Sequence, residues 1–291
     1  MAKIGLIQVE IVPGSTMEER HEMLYNLAEA TLKEGADLVF LPEAFQYVSC
    51  REIASAEHPQ RLLEVSAMWR ERMSALARQY HAYVVPLDYL FENGKLYNYS
   101  YILDRNGEEV GRYKKSNITH SEIEIRGLTP GNEYPVFDLD IGRVAIMICF
   151  DNYFPEVAAI YGMQGAELLL YPLYGDTLKP QWELKMRARA IDHSMFVASC
   201  QIDKKFDIAY TGMVDKNGEV IAKIEKPNSY MVVDVDLHQR VVTHTTGNPA
   251  YKEDIWDYLH KTRNHASYGP VTQAGEPAKS WDEIFFGKVP E

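Results

Sequence analysis

Arg143-Val-Ala-Ile-Met-Ile-Cys-Phe-Asp-Asn-Tyr-Phe-Pro-Glu156 joins an apolar strand to a helix through a cysteine. Val144 to Ile148 is a continuous apolar run rich in β-branched residues, the pattern of a strand buried on both faces. Pro155 then opens a helical segment, Val157-Ala-Ala-Ile160, at the position where a missing N–H costs nothing. Cys149 stands between them, at the carboxyl end of the strand, where α/β proteins gather reactive groups.

Working outward, the same unit occurs twice. Lys3-Ile-Gly-Leu-Ile-Gln-Val9 parallels the strand ending in Cys149, and Gly35-Ala-Asp-Leu-Val-Phe-Leu-Pro-Glu43 parallels Gly165-Ala-Glu-Leu-Leu-Leu-Tyr-Pro-Leu173. Asp104-Arg-Asn-Gly-Glu108 parallels Asp215-Lys-Asn-Gly-Glu219. The order strand, helix, strand, helix, strand, hairpin therefore repeats. Two such sheets, each with helices on one face, predict an α/β fold of four layers, an α-β-β-α sandwich. The repeat also serves as an internal control. Glu43 corresponds to Leu173 and Cys149 to Val9, so the shared architecture requires neither polar residue, and both read as placed for function.

Around this core the chain predicts a strand over residues 3–11 and a helix opened by a Ser15-x-x-Glu18 capping box and stopped by Gly35. A strand over 37–41, a helix over 63–80 and a strand over 82–90 follow, then hairpins at Asn93-Gly94 and Asn106-Gly107. Residues 115–134 read as a long irregular connector. In the second half, strands over 167–171 and 195–201 flank a helix over 182–193, Asn217-Gly218 turns a hairpin, and 231–236 is the last strand. The compact domain is predicted over 1–244, with 245–291 an extension packed on the body or at an oligomer interface.

Composition excludes several classes. With 30 basic and 42 acidic residues the net charge is −12, without a lysine or arginine block, which repels phosphate backbones and argues against nucleic acid. No apolar run approaches the roughly 20 residues of a membrane span, and the N-terminus does not read as a signal peptide. Cys50, Cys149 and Cys200 are odd in number and far apart, which favours a reducing cytoplasm over a disulfide framework. No metal-binding or phosphate-binding signature is present.

A thiol attacks as its thiolate, so Cys149 needs a cation, a helix N-terminus or an adjacent base. Lys115, after the second hairpin, and Glu43, at the end of a strand of the same kind, are the candidates. Each residue has a bland alternative. Lone apolar-flanked cysteines are mostly inert core, which suits Cys200; lysine pairs such as Lys114-Lys115 are commonly solvated; His120 in a polar loop is more often exposed than a base.

Taken together, Leu41-Pro-Glu43, Tyr113-Lys-Lys115 and Cys149-Phe-Asp-Asn-Tyr-Phe-Pro-Glu156 resemble the three signature segments of the nitrilase superfamily of carbon–nitrogen hydrolases. Arg187-Ala-Arg189 and Tyr210-Thr-Gly-Met-Val-Asp215 extend the resemblance, which covers residues 3 to about 236. It implies a homodimer or higher homo-oligomer, no cofactor or metal, and a triad in which Glu43 is the general base, Lys115 stabilises the oxyanion and Cys149 is the nucleophile. It further implies a second active-site glutamate, which spacing from Pro130-Gly131 assigns to Glu124 rather than Glu122, and an oxyanion contact from the Phe150 N–H. The chain departs from the family pattern at Asn117, usually histidine, and at Tyr153, often arginine.

Cysteine followed by Phe-Asp resembles the amidase branches. The expected activity is hydrolysis of a small linear amide through a thioester, releasing ammonia and an acid. N-carbamoyl compounds and nitriles are the nearer alternatives, and a non-catalytic binding protein of the same fold is the rival of another class. Tyr47, Asn152, Tyr153 and Tyr174 are expected to line the pocket, with Trp182 a further candidate, and Arg263 and Tyr268 to reach a partner.

Overall fold

The apolar runs of the sequence pair into one branched sheet. A computed structural model describes residues 1–48, 59–175, 179–203, 210–244, 250 and 252–272, so Cys50 lies outside the described residues. Contacts divide the chain into two units, Met1–Val241 and Val242–Glu291.

In the first unit the chain runs β1 (Ala2–Glu10), α1 (Met17–Lys33), β2 (Leu38–Phe40), α2 (Pro59–Tyr80), β3 (Tyr83–Val85), β4 (Leu87–Glu92), β5 (Lys95–Leu103) and β6 (Glu109–Lys114). A helix α3 (His120–Arg126) and a strand β7 (Val136–Leu139) lead to β8 (Gly142–Ile146), α4 (Pro155–Met163), β9 (Leu168–Leu173) and α5 (Lys179–His193). Then come β10 (Phe196–Asp203), β11 (Thr211–Val214), β12 (Val220–Ile224) and β13 (Ser229–Val235).

The duplication is structural as well as sequential. Strands β1, β2 and β3 lie parallel with antiparallel β5 beside β3, and β8, β9 and β10 lie parallel with antiparallel β11 beside β10. Matching hydrogen bonds tie matching places. The Asp37 N–H donates to Lys3 O and the Glu167 N–H to Arg143 O, both at 2.8 Å. The hairpin turns repeat too, Gly107 N–H to Asp104 O and Gly218 N–H to Asp215 O, both at 2.9 Å. Gly35 and Gly165 end α1 and α4 with φ of 87° and 79°, a left-handed conformation that glycine adopts without steric penalty.

The two half-sheets meet at β1 and β10. Residues Ala2–Gln8 of β1 pair antiparallel with β13, and Gln8–Glu10 pair parallel with β10, so the expected two sheets form one hydrogen-bonded network. Helices α1 and α2 pack on strands of the first half, while α4 packs on α5 and α5 on β10 and β11. That arrangement makes the four layers. Cys200 lies fully buried between the halves, taking a hydrogen bond from the Ile7 N–H at 3.1 Å and facing Phe40 O at 3.3 Å, which fits the inert core reading.

Three details differ from the sequence reading. The capping box of α1 is Thr16 with Glu19, one residue later than expected, because Ser15 turns back to hydrogen-bond Val12 O. Pro86 breaks residues 82–90 into β3 and β4, having no N–H to give the ladder. The connector after Lys115 contains α3, with its own Thr119–Glu122 capping box and Gly127 as left-handed C-cap.

The second unit holds an antiparallel pair, β14 (Val242–His244) and β15 (Lys252–Asp254), and a short helix α6 (Ile255–Thr262) capped by Asp254. Within it the Arg263 guanidinium lies 5.9 Å from the Tyr268 ring centre. Among the described residues no helix is long and apolar enough to cross a membrane.

Candidate active site

Four chain segments deliver side chains to one place, at the carboxyl ends of β2, β8 and β9 and the end of hairpin strand β6. Glu43 follows β2 and Pro42. Ala44 then adopts φ of 49°, a left-handed turn that reverses the chain into the buried 3-10 turn Phe45–Tyr47. Cys149 follows β8 and itself has φ of 45°, a conformation uncommon for a residue with a Cβ and often found at functional sites. The next residues wind into the 3-10 turn Cys149–Tyr153, and Pro155 opens α4.

Lys115 is the hub. Its Nζ donates to Glu43 Oε1 at 2.8 Å and to Glu122 Oε1 and Oε2 at 2.8 and 3.0 Å. Both Glu43 and Lys115 are almost wholly buried, at 4% and 2% exposure. Asn98 Nδ2 bridges the carboxylates, 2.9 Å from Glu43 Oε1 and 3.1 Å from Glu122 Oε1. The Tyr174 N–H, just past β9, donates to Glu43 Oε2 at 2.9 Å. Every oxygen of Glu43 is therefore held, which fixes its direction.

Burial opposes the charge on Lys115, yet the two carboxylates hold its pKa well above the usual lysine value. Burial likewise pushes Glu122 up, but Lys115, Thr119 and Asn98 outweigh it and keep Glu122 below the ordinary carboxylate range. The Cys149 thiol is pushed well above its usual value by burial and by the Glu43 charge, with Lys115 pulling the other way. The Lys115 ammonium thus opposes, without outweighing, what burial and the Glu43 charge do to the thiol.

Asp151 binds these segments together. It is fully buried, and it accepts from Tyr113 Oη at 2.8 Å, Ser116 Oγ at 3.0 Å, the Asn117 N–H at 2.8 Å and the Ile148 N–H at 3.0 Å. One carboxylate thus clamps the strand end bearing Lys115 to the turn bearing Cys149. Asn117 Nδ2 adds a further bond to Asp151 at 3.0 Å, so this departure from the family pattern is part of the clamp. Behind the turn, Tyr171 Oη donates to Cys149 O at 3.1 Å and Arg189 Nη2 to Asn152 O at 3.0 Å. The Pro130-Gly131 turn closes on the lysine, with the Gly131 N–H 2.8 Å from Lys115 O.

Glu43, Lys115, Glu122 and Cys149 line a cavity of about 400 Å³. Tyr89, Arg126 and Tyr174 form its wall, with Val48, Thr119 and Ser121 among the remaining lining residues. The structure corrects the sequence reading here. The glutamate on Lys115 is Glu122, because N3 of the capping box points back toward the hairpin, while Glu124 lies two positions round the helix and is exposed. Tyr47 is core, its hydroxyl 2.6 Å from Asp88 Oδ1. Asn152 is buried outside the cavity lining, and Tyr153 is 45% exposed with Lys185 Nζ 3.3 Å from its ring centre. Phe150 packs tilted against Tyr153 and edge-on against Phe154, and its ring does not line the cavity, though its N–H lies in the 3-10 turn beside the thiol. Trp182 is core, and His120 is not among the lining residues. Of the pocket residues expected, Tyr174 alone lines it. Tyr89, Thr119, Ser121 and Arg126 were missed.

The fold resembles that of solved amidases: an amidase from Nesterenkonia sp. superposes with a TM-score of 0.69 at 20% identity, covering 81% of this chain and 90% of that one. The chain is 28% identical over 252 residues to the omega-amidase NIT2 of Xenopus tropicalis, covering 81% of this chain and 90% of the relative. To the Homo sapiens omega-amidase NIT2 it is 28% identical over 250 residues, covering 81% and 88%. Residues 3–244 match the carbon–nitrogen hydrolase family, a span that includes Glu43, Lys115, Glu122 and Cys149. The chain belongs to the carbon–nitrogen hydrolase family, within the nitrilase superfamily.

Proposed function

We propose that the protein hydrolyses the carbon–nitrogen bond of a small linear amide through a cysteine thioester, with Glu43, Lys115, Glu122 and Cys149 as the reacting group. The observation that carries this reading is the Glu43–Lys115 contact at 2.8 Å in the same cavity as the Cys149 thiol. The curated relatives named omega-amidase support an amide as the substrate class.

Glu43 takes the proton of Cys149 as sulfur bonds to the amide carbon and the carbonyl electrons move to oxygen. The resulting oxyanion is met by the Lys115 ammonium and the Phe150 N–H, donors fixed before the charge develops. Collapse of the intermediate breaks the carbon–nitrogen bond, and Glu43 returns its proton to the leaving nitrogen, which departs as ammonia. Water then gives a proton to Glu43 and its oxygen to the thioester carbon, releasing the acid and restoring the thiol. Glu122 keeps Lys115 charged and aimed.

The net charge of −12 supports a small-molecule substrate over nucleic acid, and three widely separated cysteines support a cytoplasmic setting. A homodimer or higher homo-oligomer remains part of the proposal. Ammonia release is measured on a panel of small amides, N-carbamoyl amino acids and nitriles. Amides should be turned over and Cys149→Ala should abolish release; turnover retained in that variant sinks the mechanism.

A further inference from the structure

We infer that Tyr171 and Arg189 are positioning residues of the oxyanion hole: by gripping the carbonyls of Cys149 and Asn152 from behind, they aim the Phe150 N–H at the oxygen on which charge develops. This deepens the amide-hydrolase reading and rests on it.

The peptide joining Cys149 to Phe150 is the link. It is planar and trans, so its carbonyl and its N–H point in opposite directions. Tyr171 Oη donates to that carbonyl at 3.1 Å. Cys149 lines the cavity and Tyr171 is not among its lining residues, so the carbonyl is held behind the turn and the N–H is turned to the side where the thiol lies. Among the described residues no hydrogen bond takes up the Phe150 N–H. A bond at the carbonyl end also polarises the peptide, which strengthens the donor at the other end. Further along the turn, Arg189 Nη2 donates to Asn152 O at 3.0 Å. Cys149 itself has φ of 45°, a strained conformation that persists only where neighbours enforce it.

The bland reading is that a buried hydroxyl and a buried guanidinium each need some acceptor. The duplication separates the two readings. Gly35–Glu43 matches Gly165–Leu173, which sets Leu41 opposite Tyr171. The Ala82 N–H donates to Ala77 O and the Met195 N–H to Ala190 O, both at 3.2 Å, and His81 and Ser194 just before them have φ of 50° and 51°. That match sets Leu76 opposite Arg189. Leu41 and Leu76 are both buried core.

The shared architecture therefore accepts leucine at both places, and has it in the half where Val9 stands in place of Cys149. The tyrosine and the arginine belong to the half that carries the nucleophile. Burial also pulls the Arg189 pKa below the ordinary arginine value, a cost that a leucine does not carry.

The test uses the amide that the wild-type protein hydrolyses best, and methyl methanethiosulfonate, which modifies a thiol but offers the hole no carbonyl. In Tyr171→Phe kcat should fall at least about 10-fold with KM within about twofold, since an oxyanion forms in both acylation and deacylation. The rate at which the reagent modifies Cys149, followed by mass spectrometry, should stay within about twofold, since it follows the thiol and not the hole. Arg189→Lys should show the same split less deeply, because an ammonium on a shorter reach replaces the guanidinium. An unchanged kcat in Tyr171→Phe overturns the assignment while leaving amide hydrolysis standing. A modification rate that falls together with kcat also overturns it, by moving the effect to the thiol or the fold. If Tyr171→Phe does not fold, Arg189→Lys decides by the same comparison. A wild-type protein that hydrolyses no amide removes both readings.

Discussion

Asn117 and Asp151 are joined twice: the Asn117 N–H donates to Asp151 Oδ1 at 2.8 Å and its Nδ2 to the same oxygen at 3.0 Å. The lysine-bearing strand end and the nucleophile turn are thereby one rigid piece, although the sequence separates them widely. Burial raises the Asp151 pKa while Lys115, Tyr113 and Asn117 oppose it, as expected of a carboxylate held inside by its donors.

Replacing that carboxylate should loosen the site before it unfolds the protein. Asp151→Asn keeps the shape but turns an N–H₂ toward groups that themselves donate. We expect a stability loss on the order of 1–3 kcal/mol by thermal or urea denaturation. We expect kcat to fall at least about 10-fold with KM little changed, since misplacement of Lys115 and Cys149 acts in the transition state. A purely structural role predicts lost stability with normal kcat at low temperature.

The two glutamates of α3 give a sharp comparison. Glu122→Gln removes one of the two carboxylates that keep Lys115 charged and should lower kcat/KM by about 100-fold or more, in the range seen when an oxyanion donor is lost. Glu124→Gln, on the exposed side of the helix, should stay within about twofold of wild type. The reverse pattern restores the assignment made by spacing.

Acid should inactivate through the same pair. Glu122 is held below its ordinary range, so its contribution is present at neutral pH and is lost as pH falls through that lowered value. The acid limb of kcat/KM should shift upward in Thr119→Val, which removes a hydroxyl 3.0 Å from Glu122 Oε2. An unchanged limb argues that Glu122 does not titrate in it.

Asp88 offers a separate pH effect. Burial raises its pKa from 3.8 to about 6, against the hydrogen bonds of Tyr47 and Tyr89. A raised carboxylate pKa stabilises the protein fully below the unfolded value, and that stability is lost as pH rises through about 6. Asp88→Asn should flatten this dependence between pH 4 and 7, worth on the order of 1–3 kcal/mol. Melting curves across that range provide the measurement.

Gly131 tests the back of the lysine. A Cβ there would stand 2.3 Å from Lys114 O, so Gly131→Ala must push the Lys114–Lys115 backbone aside. We expect kcat to fall about 10-fold or more, with the ammonia assay and a melting curve separating displacement from unfolding.

Much of this was legible in the sequence because the chain states it twice. The repeated Gly-Ala-acid-Leu runs set the parallel strands, and the mismatch of Glu43 with Leu173 and of Cys149 with Val9 marked the chemistry. What was missed had local causes. Thr119-x-x-Glu122 is the same capping signal as Thr16-x-x-Glu19, but it lies in a polar segment without an apolar stripe to reveal α3. Counting back from Pro130-Gly131 then favoured Glu124, whereas helical geometry selects Glu122. Tyr47 and Tyr89 look alike in sequence; only the direction of each side chain separates core from cavity wall. Asp151 carried no signal beyond its place in the nucleophile motif, because Tyr113, Ser116 and Asn117, the partners that make it a clamp, come from a distant hairpin strand and the turn after it.

The seam between the half-sheets has a consequence for a chain still folding. Glu43 and Lys115 lie in the first half and Cys149 in the second, so base and nucleophile meet only after contacts far apart in sequence have formed, which are among the slowest to close. A nascent chain with only its first half assembled holds a carboxylate with nothing to deprotonate. One with only its second half holds the thiol without the carboxylate and the ammonium, so the reacting group exists only once the two halves are joined.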